Sequence, residues 1–392
     1  MRETWRWYGA TDDPIKLDEI RETGVQGVVT SLYHVDPDTA WNVKDVQSLK
    51  AKIEAADLTW DVVESIPVPN SVKLGNSARD AGIETFSNSL RAVARAGIPM
   101  VCYNFMPTFD WTRTSISWST RTGLATRFDY VGFAVYDLFL LKRPGASEDY
   151  SEEVIAAAER GFKTSSPEML DALESVIVTG LPSYLNIKSP EDVLRQIALF
   201  EGMGREDIAA NLSYFLQAVG PLADELGVNL GIHPDDPPFP VFGLPRIVSN
   251  GDDLQRLLDA HDSPRNGLTF CTGSLGASPT NDTLALFERF ASRVNFLHLR
   301  NVTIDGERSF FEDEHLVGQT DMVALSRAIL REERRREAEG RADAIIPMRP
   351  DHGQLNQRDA DLGSPHGYSY IGRLKGLAEL RGVAKALEAQ LG

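Results

Sequence analysis

Short runs of β-branched, leucine and aromatic residues recur along the chain, between stretches whose apolar positions repeat every three to four residues. That alternation is the signature of repeated strand–helix units. Eight runs qualify as strands: residues 4–8, 27–32, 59–64, 100–105, 229–233, 268–271, 294–299 and 344–348. Several follow a helical stretch that ends in a glycine turn, as in Glu22-Thr23-Gly24, Arg95-Ala96-Gly97 and Glu225-Leu226-Gly227. Glycine just past a helix, followed by an apolar strand, punctuates an αβ loop. The pattern predicts an α/β fold, a (β/α)8 TIM barrel.

The spacing breaks once. About 120 residues separate the fourth and fifth runs, where a helix and two short loops would suffice. The expectation is a single barrel domain over residues 1–392 with a long insertion, 107–226, between strands four and five. Its first part, 107–144, is aromatic and lacks helical periodicity, so it reads as a long loop over one barrel face. Residues 150–226 read as helical; Ser189-Pro190-Glu191-Asp192 combines a capping serine, a proline and early acids, and Gly204 opens a second helix start. The charged stretch 331–337 mixes both signs at helical spacing and reads as a solvated helix face.

Composition narrows the partners. Apolar residues make up 42% and charged residues 25%, enough for a packed core. With 40 basic and 57 acidic residues the net charge is −17, which argues against nucleic acid or an anionic membrane as partner. A small anionic substrate needs only a few local cations and stays in play. No run reaches the ~18 apolar residues of a membrane span. The first residues carry Arg2, Glu3 and Arg6 with no apolar run, unlike a secretory signal. The two cysteines, Cys102 and Cys271, form no disulfide framework. The cytoplasm is the expected compartment, and a homo-oligomer, simplest as a dimer, the expected assembly.

The chemistry gathers at strand ends. His233, Cys271, His298 and Asp351 fall at the C-terminal ends of the last four predicted strands, and in a TIM barrel those ends converge on one mouth. A lone strand-end histidine or buried cysteine is more often structural than a ligand. Four ligand types in the same relative place point to a divalent metal of borderline softness. Cys102, inside its strand, reads as core filler. Of the other histidines, His34 lies beyond strand two and is a candidate substrate contact, as is Asn104 near the end of strand four. His261 reads as a surface residue at a helix end, while His315 and His366 sit in polar loops beside strand eight.

Arg300 and Arg349 flank the ligands, and guanidinium binds carboxylate in a bidentate fork. An ion pair with Asp235 or Asp236 would serve equally, and those two acids are candidates to orient the ligand imidazoles. The chain has no phosphate loop, no strand-borne dinucleotide fingerprint and no nucleophile elbow.

At this point the residues match a known family. Thr4-Trp5-Arg6-Trp7-Tyr8-Gly9, Tyr103-Asn104-Phe105-Met106-Pro107 and Asp110-Trp111-Thr112-Arg113-Thr114 resemble the D-mannonate dehydratases of hexuronate breakdown. So do His233-Pro234-Asp235-Asp236-Pro237-Pro238, Gly243-Leu244-Pro245-Arg246-Ile247, Cys271-Thr272-Gly273-Ser274, Met348-Arg349-Pro350-Asp351-His352-Gly353, Gly367-Tyr368-Ser369 and Gly372-Arg373-Leu374-Lys375-Gly376-Leu377. The resemblance spans residues 4–383. It implies a xylose-isomerase-like barrel that uses Mn²⁺ or Fe²⁺ to convert D-mannonate to 2-dehydro-3-deoxy-D-gluconate and water. It also implies metal ligands at His233, Cys271, His298 and Asp351.

For the proton transfers, the candidates are His352, Asp351 and Tyr368, all on the strand-eight side of the mouth. Asp351 cannot be both a tight ligand and a free base, and the residues alone leave that open. The alternatives are a divalent-metal sugar isomerase on the same barrel and a non-catalytic sugar-acid-binding protein.

Overall fold

The strand sequences are apolar almost end to end, as parallel strands covered on both faces must be. All four residues of Gly27–Thr30 and all six of Val294–Leu299 are buried. The computed structural model describes residues 1–179, 187 and 189–391. Its strands are β1 Arg2–Arg6, β2 Gly27–Thr30, β3 Thr59–Glu64, β4 Met100–Tyr103, β5 Ser115–Ser119, β6 Leu124–Phe128, β7 Asn229–Ile232, β8 Asn266–Cys271, β9 Val294–Leu299, β10 Asn301–Gly306, β11 Ser309–Asp313 and β12 Pro347–Pro350. Eight of them close a parallel barrel in the order β1-β12-β9-β8-β7-β4-β3-β2, so every predicted strand takes its place. The last one shifts. It begins at Pro347, where a missing N–H costs a strand least, and so includes Arg349.

The remaining four strands were not predicted. They pair antiparallel in the order β10-β11-β6-β5, joining a hairpin from the 107–144 stretch to one that follows β9. The expected long loop is therefore ordered: after the hairpin come the helix Tyr130–Val135 and a π-helical turn, Tyr136–Leu140. Phe128 stacks on Phe310 across the two hairpins at 5.9 Å, so each contributes half of a shared apolar face. Alternation in these strands is broken by bulges between Ser115 and Trp118 and between Ile304 and Gly306, which hid the period of two.

The helix starts at Ser189 and Gly204 lie where the sequence puts them, opening Pro190–Ala198 and Arg205–Leu226. Residues 180–186 and 188 of the insertion lie outside the described residues. The charged stretch 331–337 departs from expectation. In the helix Met322–Ala338 it buries Glu332, Glu333 and Arg336. Arg336 donates to the carbonyls of Ala291 and Val294 at 2.6 and 2.8 Å, and Glu333 accepts from the N-terminal ammonium at 2.7 Å. Open carbonyls beneath the barrel recruit the charges that a helical wheel assigns to water. Among the described residues no helix is long and apolar enough to cross a membrane.

Candidate active site

Register brings the strand ends into one row. Cys271 on β8 pairs with His298 on β9, and His298 pairs with Arg349 on β12. His233 follows β7, its backbone N–H held 2.7 Å from the Tyr103 carbonyl at the end of β4. Asp351 follows β12, with its N–H on Leu299.

The four proposed ligands do not meet equally. One ligand atom each from His233, Cys271 and His298 lie within 4.8 Å of one another. Asp351 Oδ2 stands 3.8 Å from both Cys271 Sγ and His298 Nδ1, at the edge of that group. His233 Nδ1 lies 2.7 Å from the Pro234 carbonyl. A carbonyl can only accept, so Nδ1 carries a proton. Against burial, which would lower it, Cys271 pushes the imidazole pKa up to about 9. Nε2 offers its lone pair where an ion takes the place of the proton it shares with that sulfur. His298 is wholly buried, yet its Nε2 makes no hydrogen bond. Cys271 Sγ sits 3.2 Å from the donating Ser274 hydroxyl. Burial alone would push this thiol up, but Arg300 together with His233 and His298 holds it well below the ordinary thiol range. A thiolate, the imidazole nitrogen that shares its proton and an orphaned buried imidazole nitrogen in one place fit a divalent transition ion.

A second group, Glu64, Cys102 and His298, is just as compact. It suits a cation less well. Glu64 is already neutralised by Arg349 and Arg6, at 3.0 and 2.9 Å. Burial pushes the Cys102 thiol up, so it stays protonated. Cys102 packs with Val29, Val62, Met100 and Phe296, as core filler would, while also touching the floor of the cleft.

The arginines settle an alternative that the sequence left open. Arg300 bonds to Asp236 and Glu312, and its Nε lies 2.8 Å from Asp351. Arg349 donates to both oxygens of Glu64 and to Asp351. Both guanidinium groups line the cleft but are engaged by acids. Asp236 also takes Arg113 at 2.6 and 3.2 Å, whereas Asp235 accepts from Val248 N and Ser249 Oγ. Among the described residues neither acid is hydrogen-bonded to a ligand imidazole: Asp236 faces Arg113 and Arg300, and Asp235 is taken up by Val248 and Ser249.

Above the ligands opens a cleft of about 490 Å³. His352 lines it, with Nδ1 3.1 Å from Glu312 Oε1 and its ring edge-on to Tyr368 at 4.9 Å. Gly353 lets the chain pass this close to the last helix, since a Cβ there would lie 2.4 Å from Arg373 N. Tyr368 meets Tyr8 edge-on at 5.1 Å, and burial raises its phenol pKa, so it keeps its proton. Asn104 faces the cleft and donates to Asp110 at 3.2 Å.

His34 is exposed and stands outside the cleft lining, which takes Ser31, Leu32, Tyr33 and Val35 from its loop. His366 does line the cleft, with Nδ1 2.7 Å from the Ile116 carbonyl. His315 lies in the loop between β11 and the helix Met322–Ala338, as expected, but its side chain is buried behind the site, at 3% exposure. His261 ends its helix against Asp224 at 2.7 Å.

Sequence reasoning missed Glu64, Glu312 and Arg113. Glu64 closes a correctly predicted strand, so the strand-end rule that found Cys271 would have reached it. Glu312 lies on β11, which was not predicted.

A sequence profile of the D-mannonate dehydratase (UxuA) family matches residues 1–391. Mannonate dehydratase 2 of Agrobacterium fabrum is 49% identical over 392 residues, covering 100% of this chain and 98% of that one. Mannonate dehydratase of Rhizobium meliloti is 45% identical, covering 99% and 97%. Among solved structures, mannonate dehydratase from Streptococcus suis serotype 2 superposes with a TM-score of 0.78 at 33% identity, covering 100% of this chain and 95% of the other.

Proposed function

Since the chain belongs to the D-mannonate dehydratase family, it is a sugar-acid hydro-lyase, and we propose that it dehydrates D-mannonate in this cleft with His352 and Tyr368 as its acid–base pair. The reaction takes a proton from C2 and hydroxide from C3, giving an enol that rearranges to 2-dehydro-3-deoxy-D-gluconate. The C2 proton is weakly acidic because the adjacent carboxylate is already negative.

His233, Cys271, His298 and Asp351 would hold the divalent ion, which we assign as Mn²⁺ or Fe²⁺ from the mixed nitrogen, sulfur and oxygen donors. Bound there, it supplies positive charge that stabilises charge growing on the substrate as the C2 proton leaves. His352 holds Nδ1 3.1 Å from Glu312 Oε1, near enough for charge attraction though not in hydrogen-bond geometry, and Nε2 is the nitrogen we assign to receive the C2 proton. Tyr368, protonated and set edge-on to that ring, delivers a proton to the departing hydroxyl. Asp351, gripped by Arg349 and Arg300, is a ligand and not the base. Arg300 and Arg349 position Asp351, Asp236 and Glu64, and Asn104 and Asp110 face the substrate.

The observation that carries this reading is the placement of the His352–Tyr368 pair beside the three-ligand group, across one cleft. Residues 1–392 act as one barrel domain with 107–226 as its insertion, in the cytoplasm, as a homo-oligomer; the unbridged state of both cysteines supports that compartment. The test is turnover of a panel of hexonates by protein reconstituted with Mn²⁺ or Fe²⁺. D-mannonate should be consumed with formation of the 2-keto-3-deoxy product. Metal-loaded protein that leaves D-mannonate unchanged would sink the assignment.

A further inference from the structure

We infer that Arg6, at the C-terminal end of β1, is the cation that binds the substrate carboxylate and sets the preference for an acid over a neutral sugar alcohol. The inference rests on the proposed dehydration and names its specificity residue. Three arginines border the cleft: Arg6, Arg300 and Arg349. Two are committed. If Asp351 turns to a metal ion, Arg300 still holds Asp236 and Glu312, and Arg349 still holds both oxygens of Glu64. Neither then presents an open fork to a ligand.

Arg6 differs. It is only 9% exposed, and two of its donors, Nε and Nη1, are buried without a hydrogen-bond partner, where Arg300 leaves only Nε so. Nη1 stands 2.9 Å from Glu64 Oε2, close enough for charge attraction but not in hydrogen-bond geometry. That oxygen already accepts from Arg349 Nε. A buried cation with unsatisfied donors at the edge of a ligand cleft is an incomplete hydrogen-bonding unit, and a carboxylate completes it.

The side chain is also held ready. Its guanidinium lies over the rings of Tyr8 and Tyr33, with centroids at 5.1 and 5.7 Å, and its own carbonyl is held by Arg373 Nη1 at 2.9 Å. A planar group fixed in this way loses little freedom on binding. Strand pairing places Arg6 opposite Val29 at the same barrel end that carries Glu64 and His298. The cleft therefore has, beside the metal-ligand group, a fixed guanidinium with two donors, Nε and Nη1, that no protein acceptor fills.

The test compares Arg6→Gln and Arg6→Lys with the wild type, all metal-loaded. Two competing ligands are titrated against turnover: D-gluconate, and D-glucitol, which carries CH₂OH where gluconate has its carboxylate. Wild type should bind the acid more tightly, and Arg6→Gln should shrink that gap roughly 10- to 100-fold, with glucitol affinity and metal content unchanged. KM for D-mannonate should rise by a similar factor. Arg6→Lys should fall between, because an ammonium keeps the charge but not the fixed planar donors of the guanidinium. If Arg6→Gln folds poorly, seen as lost metal content, the gap in Arg6→Lys decides. An unchanged acid-to-alditol gap in a metal-replete variant overturns the inference while leaving the dehydratase reading intact. Wild-type protein that binds gluconate but does not dehydrate D-mannonate overturns that reading instead.

Discussion

Arg349 and Glu64, 285 residues apart in the chain, meet side-on inside the barrel, Nε and Nη2 donating to the two carboxylate oxygens at 3.2 and 3.0 Å. Burial alone would push the Glu64 carboxyl up, but Arg349, Arg6 and His298 hold it well below the ordinary range. This acid therefore balances two buried cations. Glu64→Ala strands Arg6 and leaves Arg349 with Asp351 as its acid partner. Unfolding free energy from urea titration should fall by about 3–5 kcal/mol. A loss under about 1 kcal/mol would show that the arginines find other partners and that Glu64 is not their keystone.

Removal of the ion separates the ligand group from its surroundings. Chelator-treated protein should be inactive, with Mn²⁺ or Fe²⁺ restoring turnover and Ca²⁺ failing, because thiolate and imidazole favour borderline ions over oxygen-seeking ones. Cys271→Ala removes the only sulfur of the three-ligand group. Its metal affinity should drop by at least roughly 10²-fold, read as metal retained after dialysis. Full metal retention in that variant would move the ion elsewhere, with Glu64, Cys102 and His298 the next group to test.

The acid–base pair is tested apart from the metal. His352→Gln and Tyr368→Phe should each lower kcat by on the order of 10²–10⁴ with metal content unchanged. Near-normal kcat in either metal-loaded variant removes that residue from the mechanism. Loss of metal from His352→Gln would instead make His352 a ligand.

His315 gives the fold a pH dependence of its own. Burial drives its pKa from 6.5 down to about 4, against Asp351 and Glu312, which raise it, and with His352, which lowers it. Gly376 makes room for the ring, since a Cβ there would lie 2.1 Å from His315 Cε1. Above about pH 6.5 both folded and unfolded chains hold a neutral ring and the residue adds no slope. Between about 6.5 and 4 only the unfolded chain takes the proton, so stability falls as pH falls. The full effect is on the order of 3 kcal/mol. Unfolding of His315→Gln should show a shallower slope across that window, whatever its absolute stability. An equal slope would mean that other groups carry the acid sensitivity.

The fold was legible where side chains repeat a simple period. β2, β8 and β9 are buried throughout, and the sequence shows them as mostly apolar runs. The antiparallel sheet was not legible, because its strands are short, bulged and half-exposed, and β5 buries none of its five residues fully. Ligand positions could be read because each ends an apolar run, as Cys271 and His298 do. Glu312 could not, since its role depends on a hairpin that brings it to His352.

The chain by itself therefore placed the ends of its apolar strands, His233, Cys271 and His298 among them, at one mouth. Parallel strands closed into a barrel must all end on the same side, so a residue's place along its own strand fixes its place at the site. Only the tertiary structure decided which charge answers which. Asp236 meets Arg113 123 residues away, and Arg349 meets Glu64 across the barrel. Such pairings depend on register and side-chain direction summed over distant strands, and a short-range pattern carries no information about either. The same accounting left Arg6, an ordinary residue of an apolar strand in the sequence, as the cleft cation with buried donors still unfilled.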